Sequence, residues 1–146
     1  MIPPFNASGN LPAGVHEATW QEFTHHFGMT PHRRGLLAGL KASLEALRAA
    51  GCRRAYIDGS FVTAKRWPND YDGCWDIEGV NPDRLDLVLL TFDRGRAAQK
   101  AKYQGELFPA QFREGGSGTT FLEFFQIDKE TGDPKGIIVI ELQELP

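Results

Sequence analysis

The chain has 146 residues, a formal net charge of −3, 41% hydrophobic residues and 24% charged ones. That length supports one ordinary core, and the composition is globular rather than disordered. The slight acidity excludes a general electrostatic attraction to nucleic acid or anionic membrane, so any such partner needs a local patch.

Residues 1–15, rich in Pro, Gly and Asn, are expected to form an irregular N-terminal arm. The arm lacks the basic and apolar regions of a signal peptide. Trp20, Phe23 and Phe27 fall at helical spacing and predict a short helix over 16–27. Thr30 as cap with Pro31 behind it starts a second helix. Leu36, Leu37, Leu40, Leu44 and Leu47 follow on one face of it, and Gly51 closes it. Residues 54–58 read as a strand ending at Gly59-Ser60, and a loop through Trp67-Pro68-Asn69 leads to a second strand from Asp70 to about Ile77. Asn81-Pro82 repeats the cap-plus-proline signal and predicts a helix carrying Leu85, Leu89 and Leu90. Residues 93–104 read as helical as well. After the glycine-rich break at 115–118, two strand-like runs, 119–128 and 136–142, flank a polar stretch that reads as a hairpin loop. This order predicts an α+β fold in one domain: a mixed β-sheet with helices packed mainly on one face. No GxGxxG or GxxxxGK[ST] loop is present.

Cys52 and Cys74 lie far apart, which argues against a disulfide framework or a cysteine zinc site and fits a reducing cytoplasm. No segment approaches the roughly 20 apolar residues that span a bilayer. The expectation is a soluble cytoplasmic protein with no membrane partner.

The chemistry concentrates in Asp58-Gly59-Ser60-Phe61 and, after a short loop, Asp70-Tyr71-Asp72. Carboxylates at i and i+2 on a strand share a face, with Cα atoms roughly 6.5–7 Å apart. That spacing suits one or two Mg²⁺ or Mn²⁺ ions, which neutralise phosphate charge. A Gly-Ser turn lets backbone approach a phosphate closely, and Ser60 adds a hydroxyl. Lys65 and Arg66 follow the turn and can either meet phosphates or lie in solvent.

An apolar strand, Gly-Ser, about ten residues and Asp-x-Asp together resemble the nucleotidyltransferase superfamily, which includes polymerase β-like enzymes and small antitoxin-type members. More closely, the chain resembles a family of small bacterial nucleotidyltransferase-like proteins. The shared phrases are Leu11-Pro12-x-Gly14-x-His16-Glu17, Asp58-Gly59-Ser60-Phe61-Val62-Thr63-x-Lys65, Pro68-x-Asp70-x-Asp72, Phe124-Phe125-Gln126 and Lys135-Gly136-Ile137-Ile138. The resemblance implies a minimal nucleotidyltransferase-like fold that binds an NTP. Gly59, Ser60 and Lys65 would hold the phosphates, and Asp70 and Asp72 the metal. It also implies a third carboxylate on the strand beside Asp-x-Asp. Glu123, a lone acid in an apolar run, is the preferred candidate over Asp76 and Asp86.

Two functions follow. One is transfer of a nucleoside monophosphate from NTP to an acceptor hydroxyl on RNA, a protein or a small molecule. The other is a non-catalytic binding module, such as an antitoxin, a regulatory partner or a nucleotide sensor. A partner chain or a homodimer could complete either site. The remaining polar features have plainer readings. Arg94, Arg96, Lys100 and Lys102 make a basic helix that could face a triphosphate or a nucleic-acid backbone, a solvated face being the preferred reading. His16, His25, His26 and His32 match no metal-ligand template. Cys74, Trp67, Tyr71 and Trp75 read as packing.

Overall fold

The computed structural model describes residues 1–146. It is an α+β fold with a five-stranded mixed sheet in the order β1-β5-β2-β3-β4. The strands are β1 (Gly14–Glu17), β2 (Arg54–Asp58), β3 (Tyr71–Trp75), β4 (Gly105–Pro109) and β5 (Gly136–Glu141). β1 and β5 pair in parallel, as do β3 and β4; the β5–β2 and β2–β3 pairs are antiparallel. The helices are α1 (Trp20–Phe27), α2 (Pro31–Ala49), α3 (Asp93–Tyr103) and the single turn α4 (Phe121–Phe124). No helix is long and apolar enough to cross a membrane.

Strand alternation divides the sheet into two unlike faces. Ala55, Ile57, Trp75, Leu107, Ile138 and Ile140 point to the main core, where they meet Leu40, Leu44 and Leu47 of α2 and Phe23 and Phe27 of α1. Full burial of each such leucine contributes about 1.5–3 kcal/mol. Thr30 caps α2 by accepting from Arg33 N at 3.1 Å, and Pro31 follows it, as the sequence predicts. The opposite face carries a smaller cluster of Cys74, Ala110, Phe125 and Ile137 under α4. That cluster covers only part of the face and leaves Asp58 and Asp72 lining a cleft.

Several expected elements differ. Residues 14–17 form β1, and the helix begins only at Trp20, because Thr19 and Glu22 make a reciprocal capping box there. The helix expected after Asn81-Pro82 is two short 3₁₀ turns, since Asp86 accepts from Val88 N and starts a new turn. β4 lies where no strand was expected. The run 119–128 is no strand: Thr120 and Glu123 form a second capping box and set the α4 turn. The loop over 129–134 therefore joins no hairpin of two strands; it is closed by the isolated Ile127–Pro134 bridge.

Candidate metal and phosphate site

β2, β3 and β4 place three acids in one row across the sheet. Asp58 stands opposite Asp72 in the β2–β3 register, and Asp72 opposite Glu106 in the β3–β4 register. Register partners project to the same face. Asp70, two residues before Asp72, shares its parity and joins the row just ahead of β3. Carboxylate oxygens of Asp70, Asp72 and Glu106 all lie within 4.8 Å of one another.

The acids differ in how they are compensated. Glu106 is ion-paired through both carboxylate oxygens, Oε2 with Arg96 at 3.1 Å and Oε1 with Lys100 at 3.0 Å. Asp58 is 3% exposed and faces Lys135 Nζ at 3.2 Å. Asp70 and Asp72 join no ion pair within the chain. Burial, then the neighbouring charges of Asp70, Glu106 and Asp58, push the Asp72 carboxyl up to about 7. Burial and Glu106 raise Asp70 in the same direction. Burial also raises Asp58, and Lys135 opposes that shift. Crowded hard oxygen donors with excess negative charge suit Mg²⁺ or Mn²⁺ rather than a softer ion. Asp70, Asp72 and Glu106 are the residues that could hold a hard divalent ion.

Asp58 and Asp72 border a polar cleft of about 650 Å³ whose walls also include Gly59, Ser60, Lys65 and Lys135. Gly59 turns the chain out of β2 with φ +82°, and a Cβ there would sit 2.6 Å from Asp72 Oδ2. Only glycine lets the Asp72 carboxylate lie against this turn. Behind the turn, the buried Arg33 guanidinium holds the loop 61–65. It donates to the carbonyl oxygens of Phe27 at 3.3 Å, Phe61 at 2.6 Å, Thr63 at 3.1 Å and Lys65 at 2.5 Å. Four carbonyl acceptors compensate a cation that would otherwise be costly to bury. His32, the preceding residue of α2, contacts Pro68 O at 2.5 Å. The first turn of α2 thus ties the connection between β2 and β3 at Phe61, Thr63, Lys65 and Pro68.

Five of the six site residues expected from sequence gather here: Gly59, Ser60, Lys65, Asp70 and Asp72. Glu123 does not. It is an exposed capping residue whose Oε1 accepts from Thr120 N at 3.1 Å and Thr120 Oγ1 at 2.9 Å, and those bonds lower its pKa. The third acid is Glu106. Asp86 is also elsewhere, bound to Lys102 at 2.6 Å and to the Tyr103 hydroxyl. Asp76 accepts from Gln111 Nε2 at 2.8 Å. The signal for Glu106 was the one applied to Glu123, an acid within a short apolar run, here Glu106-Leu107-Phe108. Arg96, whose backbone is left-handed at φ 63° rather than helical, and Lys100 pair with it while staying partly exposed.

The fold and site define an α+β protein with an acidic oxygen-donor centre at the ends of its strands, beside a glycine-serine turn. A family model described as "Family of unknown function (DUF6932)" matches residues 3–141, and the chain belongs to that family. No curated protein and no solved structure matches it.

Proposed function

We propose that this chain is a metal-dependent nucleotidyltransferase that moves a nucleoside monophosphate from an NTP to an acceptor hydroxyl. The observation that carries this reading is the convergence of Asp70, Asp72 and Glu106 oxygens within 4.8 Å beside the Gly59-Ser60 turn. A bound Mg²⁺ or Mn²⁺ would neutralise phosphate charge and polarise the bond to be broken. The chain's own groups do the binding and orienting. Backbone at Gly59 approaches the phosphates, the Ser60 hydroxyl donates to them, and the exposed Lys65 ammonium adds charge. Arg33 keeps these groups in register with Asp70 and Asp72. The acceptor is a hydroxyl on RNA, a protein or a small molecule. Two free, buried cysteines, Cys52 and Cys74, are in keeping with a reducing cytoplasm.

The test is incubation with Mg²⁺ or Mn²⁺ and each labelled NTP, with and without tRNA or candidate protein acceptors. Label should pass to an acceptor with release of pyrophosphate. Asp70→Ala and Asp72→Ala should abolish transfer while circular dichroism stays native. Transfer that persists in both folded variants overturns the reading.

One observation favours a second reading, a non-catalytic nucleotide-binding module of the regulatory, sensor or antitoxin kind. Arg96 and Lys100 already engage Glu106, so the acid row is half-neutralised by protein cations. An NTP that raises the melting temperature without any turnover selects this alternative.

A further inference from the structure

Asp58 has two properties that the proposed chemistry leaves unused. It is 3% exposed, and the one protein group that meets its Oδ1 is Lys135 Nζ, 3.2 Å away as its countercharge. It also extends the acid row, because it is the register partner of Asp72 on the neighbouring strand. With Asp58 free, Asp58 and Asp72 would present oxygens to a second divalent ion beside the first.

Lys135 is held in that place from both sides. Its own N–H donates to Gln126 O at 2.8 Å, and Gly136 N donates to Leu11 O at 3.1 Å. A Cβ on Gly136 would sit 2.0 Å from Pro12 O, so the arm presses directly on the backbone beside Lys135. Three phrases singled out in the sequence (Leu11-Pro12, Asp58-Gly59 and Lys135-Gly136) meet at this point. The Lys135 side chain is 15% exposed and that of Asp58 5%, and both residues border the cleft. An ammonium is a compact point charge with three donors, able to serve a carboxylate and an incoming phosphate oxygen together.

We infer that Lys135 is a resident cation closing the Asp58 side of the acid row, so that the centre takes one divalent ion, on Asp70, Asp72 and Glu106, and not two. The inference rests on the proposed metal site and specifies its stoichiometry. The charge a second ion would bring to the phosphates comes instead from the protein.

The experiment counts bound Mn²⁺ by the loss of the free-ion electron paramagnetic resonance signal, on the full chain without nucleotide. Wild type should bind one ion. Lys135→Ala should bind two, Lys135→Arg one, and the double variant Lys135→Ala, Asp58→Asn one again. If unpaired Asp58 prevents Lys135→Ala from folding, Lys135→Gln keeps a donor without the charge and should also bind two. No binding by folded wild type sinks the metal site and this inference with it. Two ions on wild type, one on the folded uncharged variant, or two on the double variant overturn this inference alone and leave the metal site standing.

Discussion

Glu106 and Glu123 show what a lone acid in an apolar run does and does not reveal. Both have apolar neighbours, and the chemistry of the residue is the same. The difference lies in the partner three residues before Glu123: Thr120 turns that acid into a capping box, whereas Glu106 faces Asp72 across a strand pair. Glu106→Gln should weaken Mn²⁺ binding by on the order of 100-fold, while Glu123→Gln leaves it unchanged; calorimetric titration of both variants decides. Asp72 supports a pH prediction. Its folded pKa is about 7, above the ordinary carboxylate value. Between about pH 4 and pH 7 the folded chain holds a proton that the unfolded chain has released, so stability from this group falls across that window. In chelator, Asp72→Asn should match wild type near pH 4 and exceed it above pH 7 by on the order of 4 kcal/mol. Urea unfolding at the two pH values measures this, and equal stabilities above pH 7 would contradict it. Cation affinity should rise over the same range, as the proton leaves.

Elements with a strong local signal were legible from sequence. α2 carries its cap, its proline and five leucines on one face, and it forms over Pro31–Ala49. β2 and β5 are short apolar runs bounded by glycine or a charged residue, and both form. β4 was hidden because Gly105 and Pro109 bracket three residues and read as breakers. Its edge is instead secured from outside: buried Gln99 of α3 accepts from Leu107 N at 3.0 Å, a bond that no local pattern encodes. Arg33 was hidden for a related reason. On the helical pattern it is one polar residue among others, yet it is buried and ties α2 to the loop carrying Ser60 and Lys65. Arg33→Met should lower stability by on the order of 3 kcal/mol, because four carbonyl groups lose their donor. It should also weaken inorganic tripolyphosphate binding more than Mn²⁺ binding, since the loop carries Lys65, proposed to meet phosphate, and none of the three acids. Equal losses for both ligands would show that Arg33 serves stability alone.

On the scale of the molecule, pairing order matters most, and it is set by contacts between distant segments that single-sequence periodicity does not carry. β5, late in the chain, lies between β1 and β2, so the N-terminal arm ends beside the cleft. Asn10 Nδ2 donates to Asp128 Oδ2 at 3.0 Å, and Ala64 N donates to Gly9 O at 2.9 Å. The arm thus links the loop around Asp128 to the loop around Lys65, the two polar walls facing the acid row. It also packs Phe5 against Phe27, with ring centroids 6.2 Å apart. Removing residues 1–10 keeps buried Leu11 and β1, and takes away that packing and both bridges. The lost apolar contact should cost about 1–2 kcal/mol. Mn²⁺ binding should stay within about twofold of wild type, because Asp70, Asp72 and Glu106 sit on or just before β3 and β4, which β5 and β2 separate from β1. If the proposed nucleotide site is right, thermal stabilisation by a non-hydrolysable NTP in Mn²⁺ should fall sharply, because the two polar walls of the cleft lose their tie. A truncated chain that loses Mn²⁺ and NTP binding in equal measure would mean that the arm shapes the acidic centre itself, and the division of the cleft into a metal end and a nucleotide wall would be wrong.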